Sequence, residues 1–282
     1  MGIIKLKDYF NFVFSKKINN VKVKIPIWGN VGLTNMMLEK NWLDLLIEKY
    51  ALNGNLSTFV DVGVNIGQTL LRLKTVFPEI DYLGFEPNST CTAYVQRLIN
   101  VNKFKNCTIQ NVALSTDIGI LELEKDSDID PRASVINNLR PDYFSAKESV
   151  LALDYHRFYL DKPVSFIKID VEGAEYDVLQ GMEKAIKKYL PVITCEVLDS
   201  HNANVLDFTQ ERATKLCELL KLWDYKIIRL QTESSSIINY EKIETIKIIQ
   251  WSPLSYALND YLFYPAKEED SVIEKMKLIM NN

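Results

Sequence analysis

The sequence predicts an α/β fold: a doubly wound, mostly parallel sheet with helices on both faces. Three observations carry this. From residue 57 onward, short apolar runs alternate with amphipathic stretches of roughly ten to fifteen residues. Several runs, such as "STFV" and "VSFI", are apolar throughout, as strands covered on both faces must be. Glycines fall at the joints between the two kinds of segment.

Taken in order, "VKVKIPI" alternates as a strand, and "TNMMLEKNWLDLLIEKYAL" places Met36, Leu38, Trp42, Leu45, Leu46 and Tyr50 at helical spacing, with Thr34 as cap and Gly54 near the stop. "STFVDVG" is a buried strand, "QTLLRLKTVF" a helix closed by Pro78, "IDYLGFEP" a strand, "STCTAYVQRLINVN" a helix and "CTIQNVAL" a strand. Residues 114–158 interrupt the alternation with "GILELEK", "ASVI" and "SVLALDY", and read as an insertion carrying hairpins. Then come "VSFIKID" (strand), "AEYDVLQGMEKAIKKY" (helix), "PVITCEV" (strand), "FTQERATKLCELLKLW" (helix) and "YKIIRL" (strand). A long excursion, "QTESSSIINYEKIETIKIIQWSPLS", leads to a last strand in "NDYLFYP". The expected division is an N-terminal extension over 1–54, a main domain over 55–270 and a tail over 271–282.

Composition narrows the function. With 282 residues, 47% hydrophobic and 25% charged, the chain can bury a full core. Its net charge of −4 gives no overall attraction to nucleic acid. Residues 1–24 are locally +5, which leaves −9 for the remainder. Ile3, Leu6, Phe10, Val13 and Phe14 fall on one helical stripe beside those lysines; docking on the core is the favoured reading and peripheral membrane contact the alternative. No stretch is apolar enough to span a bilayer, the opening is a poor secretion signal, and four scattered cysteines suit a reducing compartment, so a cytoplasmic, bacterial protein is expected.

The chemistry should lie at the carboxyl ends of the strands. In "DVGVNIGQT", Gly63 and Gly67 let a ligand approach the main chain, and the following helix offers free N–H groups. Glu86, ending the next strand in "FEP", can accept bonds from two ribose hydroxyls. The loop is not the G-x-G-x-x-G of a pyrophosphate site, and Asp61 would repel phosphate. A nucleoside with a cationic tail fits better, which points to S-adenosyl-L-methionine. "IKIDVEGAEYDVLQGM" adds Lys168, Asp170, Glu172 and Glu175 at one strand-to-helix joint; helix capping by Glu172 and Glu175 is the plainer alternative.

"FVDVGVNIGQT", "GFEPN", "NVALS", "LALD" and above all "IKIDVEGAEYDVLQGM", in order over about half the chain, resemble the signatures of the FkbM family of S-adenosylmethionine-dependent methyltransferases. The resemblance implies a class I methyltransferase (Rossmann-like) fold, a seven-stranded sheet with an antiparallel terminal strand, and methyl transfer to oxygen. Carried onto this chain, it implies that Asp61, Gly63, Asn65 and Gly67 hold the methionine part and Glu86 the ribose, with Gln68, Thr69 and Pro87 also binding the cofactor. Asn111, Val112 and Ala113 would lie near adenine, with Asp170 beside the reacting methyl.

Such a transfer needs a proton acceptor for the attacking hydroxyl. The candidates are Asp170 and Glu172 first, then His201, with Glu196 nearby. A divalent cation on Asp170, Glu172 and Glu196 is the alternative, and no metal is expected. Arg132, Ser134 and Tyr143 are placed on the acceptor side from their position in the insertion. The expected acceptor is a hydroxyl of a glycan or glycolipid precursor. The alternatives are a non-sugar small molecule or, in another class, a nicotinamide-dependent oxidoreductase, which would want a third glycine. The acidic balance and "DVEGAE" in place of a base-stacking motif argue against nucleic acid. Oligomeric state is not legible.

Overall fold

The computed structural model describes residues 11–51, 57–137, 139–140, 143–158, 162–233, 236–253 and 255–280. Its N-terminal part is a hairpin, not a helix. β1 (Asn11–Ile18) pairs antiparallel with β2 (Val21–Trp28). The turn between them holds Asn19 and Asn20 at φ 48° and 63°, the left-handed conformation that asparagine tolerates in two-residue hairpins. Val23, Ile25 and Ile27 point into the core, whereas Val13 is half exposed on the outer side. The helical stripe therefore fails at Val13 and Phe14; Ile3, Leu6 and Phe10 lie outside the described residues.

The helix expected after Thr34 is broken into α1 (Leu33–Met36) and α2 (Trp42–Ala51). Asn41 causes the restart: its Oδ1 accepts from the N–H groups of Leu43 (3.1 Å) and Asp44 (3.3 Å), and Asp44 Oδ2 accepts from Asn41 N (2.8 Å). This reciprocal cap is a stronger start than Thr34 offers. Gly54, the expected stop, and the boundary at 54/55 fall outside the described residues.

The alternating region follows as read: β3 (Thr58–Val62), α3 (Gln68–Val76), β4 (Asp81–Phe85), α4 (Ser89–Asn102) and β5 (Cys107–Gln110). Asn88 caps α4, its side chain accepting from Thr90 N and Cys91 N. The insertion forms β6 (Ala113–Leu114), β7 (Gly119–Lys125) and β8 (Ala146–Leu153), a separate sheet of order β6-β8-β7.

Next come β9 (Val164–Ile169), α5 (Glu175–Gly181), α6 (Glu183–Tyr189), β10 (Val192–Glu196), α7 (Leu206–Leu222), β11 (Tyr225–Glu233), β12 (Ser236–Ile243), β13 (Asp260–Pro265) and α8 (Glu269–Met280). The single helix expected over 174–189 is thus two. At the joint, a side chain on Gly181 would meet the main-chain oxygen of Ser115 at 2.1 Å, so the helix end packs directly against the strand end beside it. The expected tail belongs to α8, whose Val272, Met276 and Ile279 are buried.

The main sheet has the order β12-β11-β13-β10-β9-β3-β4-β5. From β10 to β5 all neighbours are parallel, and β13 runs antiparallel between β10 and β11. This is the class I methyltransferase arrangement. It carries eight strands, not seven, because part of the excursion, Ser236–Ile243, folds back on β11 as β12. One core joins the hairpin, α2, α3, α4 and α8 to one face of the sheet, and a second joins α5, α6 and α7 to the other. Side chains such as Leu70, Val178 and Leu220, at most 1% exposed, each contribute about 2 kcal/mol by leaving water. The two layers leave the carboxyl ends of β3, β4, β9 and β10 open at one edge of the molecule.

Candidate active site

At that edge lies a cleft of about 940 Å³, large enough for two small ligands together. The turn after β3 forms one wall. Gly63 has φ +84°, and a Cβ there would sit 1.8 Å from the main-chain oxygen of Asp170, so only glycine allows β3 and β9 to end so close together. Asn65 is also left-handed, at φ 48°. Its N–H donates to Glu86 Oε2 (2.7 Å), and Asn88 N donates to Oε1 (2.9 Å). Each carboxylate oxygen keeps a second lone pair, which is the capacity needed for a vicinal diol. Burial pushes the Glu86 carboxyl up to about 7, against the two main-chain bonds that favour its charge.

Asp61 is not where its charge was expected to act. It lies in the middle of the sheet with no exposure, beside Gly84 and Lys168 in register. Tyr82 Oη donates to its Oδ2 (2.5 Å), and Lys168 Nζ stands 3.6 Å from Oδ1. Burial raises the Asp61 carboxyl, with Lys168 and Tyr82 opposing. Lys168 also bonds Gly63 O (3.0 Å) and Asp170 Oδ2 (3.0 Å), so it ties the glycine turn to the end of β9. Burial works against its ammonium, yet the carboxylates of Asp170 and Asp61 outweigh it and raise its pKa. The group that meets the cleft is therefore Lys168, with Asp61 beneath it.

The remaining residues expected at the nucleoside end divide. Gln68, Thr69, Pro87, Val112 and Ala113 line the cleft. Gly67 does not; at φ +76° it starts α3. Asn111 also stands behind the wall, its Nδ2 donating to Glu86 O (3.0 Å), Pro87 O (2.9 Å) and Thr92 Oγ1 (3.2 Å), so it braces the turn after β4 from outside.

The opposite wall is acidic. Asp170, Glu172, Glu196 and Asp260 all line it. Because β13 is antiparallel to β10, its first residue arrives where β10 ends, and Asp260 stands directly opposite Glu196. Burial comes first in raising both carboxyls, Asp260 to about 7 and Glu196 well above its ordinary value. Asp170 raises both further, and Asp260 itself adds to the rise at Glu196. Glu172 sits at φ +55°, fixed by Ser134 Oγ donating to its main-chain oxygen (2.7 Å) and by Arg140 Nη2 on Oε2 (2.6 Å). Burial lifts it to about 7, with Arg140 pulling the other way. Of the two glutamates weighed as helix caps, only Glu175 takes that role, Oε1 accepting from Gly173 N (2.8 Å).

Ser134 is fully buried, and Arg132 reaches the cleft with its guanidinium 3.9 Å over the Tyr143 ring. His201 stacks on Trp251 at 5.1 Å, and its Nε2 lies 3.3 Å from Arg140 Nη2. A guanidinium only donates, so Nε2 is an acceptor and the proton sits on Nδ1. Partial burial, then Arg140 and Arg132, lower the His201 pKa. That geometry weakens it as a base. Among the described residues no group of three or more His, Cys, Asp or Glu is arranged to hold a metal ion, and Glu172 is turned to Arg140 instead of joining Asp170 and Glu196 as a cage.

Sequence reading missed Asp260, Arg140 and Trp251. Asp260 was findable, since the first residue of an antiparallel last strand must meet the mouth. Arg140 and Trp251 come from loops that carry no periodic signal.

The family model for the methyltransferase FkbM domain matches residues 61–227. "Methyltransferase 1" of Beauveria bassiana (strain ARSEF 2860) is 23% identical over 163 residues, 51% of this chain and 66% of that one, just under two thirds of its length. Among solved structures, methyltransferase FkbM from Methylobacillus flagellatus KT has 18% identity and a TM-score of 0.44, covering 80% of this chain and 48% of that one. The SAH-bound Podospora anserina methyltransferase PaMTH1 has 7% identity and a TM-score of 0.42, covering 79% and 76%.

Proposed function

The chain belongs to the FkbM methyltransferase family, and from that premise we propose that it transfers a methyl group from S-adenosyl-L-methionine to a hydroxyl oxygen of a carbohydrate acceptor. The observation that carries this reading is one cleft with two unlike ends: a glycine turn and a doubly anchored Glu86 at one, and Asp170, Glu196 and Asp260 at the other.

The residues fit the cofactor. The two spare lone pairs of Glu86 suit the ribose hydroxyls, and Val112 and Ala113 give an apolar edge for a purine. The turn over Gly63, Val64 and Asn65 with Gln68 and Thr69 would hold the amino-acid part, while Asp61 serves from beneath through Lys168. When bound, the cofactor supplies an electrophilic methyl on a sulfonium. Asp170, with its side chain 36% exposed, is the carboxylate best set to accept the proton of the acceptor hydroxyl. Thr194 also lines the cleft, and among the described residues its buried Oγ1 has no hydrogen-bond partner.

On this reading the enzyme works in the bacterial cytoplasm, where its four free cysteines stay reduced. No helix among the described residues is long and apolar enough to cross a membrane. The family match is to methyltransferases, which counts against the nicotinamide alternative.

The test is incubation with methyl-labelled S-adenosylmethionine and fractions of nucleotide sugars, capsule and lipid-linked glycans. Label should enter a glycan fraction with the wild type, and Asp170→Asn should bind cofactor normally yet transfer about a hundredfold more slowly. Label appearing only in non-glycan small molecules would move the acceptor class. Equal rates in the variant would remove Asp170 as the base.

A further inference from the structure

The outer end of the cleft contains a flat apolar surface that the chemistry so far does not use. Trp251 is 37% exposed there, with its ring stacked on His201. The main-chain N–H of Trp251 donates to Ser200 O (2.8 Å), and Ser200 N donates to Ile249 O (3.0 Å), so the strand-like segment 249–251 is clamped to the chain leaving β10. Behind the indole lies His201, near parallel at 27°, and behind His201 lies Arg140, whose second contact is Glu172. One guanidinium thus fixes both the aromatic stack and the acidic wall. A platform whose position is set before any ligand arrives loses little entropy on binding.

The surroundings decide what lies on it. The cations that line the cleft are already paired, Arg72 with Asp44, Arg132 with Asp130, Arg140 with Glu172 and Lys168 with Asp170, so none is spare for an anionic acceptor on a wall that also carries Glu196 and Asp260. A flat aromatic acceptor would stack, but it would bring few donors to those carboxyl oxygens. A pyranose has an apolar C–H face and a rim of hydroxyl donors, which matches an indole bordered by acceptors. We propose that Trp251, backed by His201, is the platform on which one pyranose ring of the acceptor stacks by its C–H face, its hydroxyls turned toward Asp170, Glu196 and Asp260.

This assignment rests on the methyltransferase reading for its purpose but is measurable without turnover. The probes are the methyl glycosides of glucose, galactose, mannose and fucose, with catechol as the aromatic control, followed by saturation-transfer NMR on the full chain with and without S-adenosylhomocysteine. At least one glycoside should bind the wild type. Trp251→Leu should weaken it about tenfold, Trp251→Phe should retain most of the affinity, and the affinity for S-adenosylhomocysteine should not change in either. Trp251→Gln replaces the leucine variant if that one melts early. The proposal is overturned if no glycoside binds, if the leucine or glutamine variant binds as the wild type does, or if catechol alone is lost on substitution. A wild type that fails to bind S-adenosylhomocysteine but still binds a glycoside through Trp251 would sink the methyltransferase reading and leave the platform standing.

Discussion

The two ends of the cleft are built by different means. The end proposed for the nucleoside consists of main-chain turns from consecutive strand-to-helix joints, and its carboxylates are anchored within the protein: Glu86 by two N–H groups, Asp61 by Tyr82 and Lys168. The end proposed for the acceptor is assembled from side chains of β9, β10, β13, the insertion and the 249–251 segment, and there carboxyl groups face one another. Main-chain geometry tolerates almost no substitution, whereas side chains on remote loops can be exchanged one at a time. The same fold can therefore keep its cofactor while changing its acceptor.

If that contrast is right, damage should be greatest where the main chain decides. Gly63→Ala should cost about 4 kcal/mol or more, since the new methyl would overlap the oxygen of Asp170 at a backbone angle alanine avoids. A urea midpoint close to that of the wild type would break the comparison outright. Asp61→Asn should cost about 3 kcal/mol by leaving Lys168 with only Asp170 as a charged partner in a buried setting. Lys168→Met, which strands Asp61 instead, should cost at least as much in the same denaturation assay.

The acceptor end should reveal itself through pH. Glu172 and Asp260, like Glu86, are raised to about 7, so between about 4.5 and 7 the folded chain holds protons that the unfolded chain has released. Their contribution to stability is complete below that window and is lost as pH rises through it, by about 1–3 kcal/mol for each group. Asp260→Asn should flatten the stability profile over this range, and an unchanged slope would mean the facing pair does not share charge as described. Cofactor affinity should move the opposite way, strengthening toward pH 7 and above as Glu86 ionises; isothermal titration at pH 5.5 and 7.5 measures it. The smallest effect is expected from Asn111→Ala, about 1 kcal/mol in stability, with a modest loss of cofactor affinity through the slackened turn at Glu86.

Legibility in the sequence follows the same division. The joint at residues 61–69, Glu86 and the 168–175 cluster were readable because local chain geometry made them, and glycine at a strand end has few other uses. The destination of Asp61 was not, because whether a carboxylate at a strand's end faces the ligand or the interior depends on Tyr82 and Lys168, which reach it from the two neighbouring strands. The hairpin at 11–28 was misjudged in its first strand, since a short apolar set spaced for a helix also suits alternate positions of a strand, and Asn19–Asn20 decided the matter. β12 was hidden in the excursion because Ser236–Ile243 mixes polar and apolar residues without a strict alternation, as a mostly uncovered strand at the rim of a sheet can. Trp251 and Arg140 had no local signature at all.

Among the described residues, the strand that comes last along the chain is not the last in space. β13 fills the gap between β10 and β11, so until Asp260–Pro265 leaves the ribosome these two strands each present a bare edge, and Glu196 has no residue facing it. Synthesis must therefore run past Pro265 before the mouth of the cleft closes. A nascent chain stalled before Asp260 would carry a split sheet ready to capture a stray strand, and this makes the stretch between β11 and β13 the hazardous one to translate.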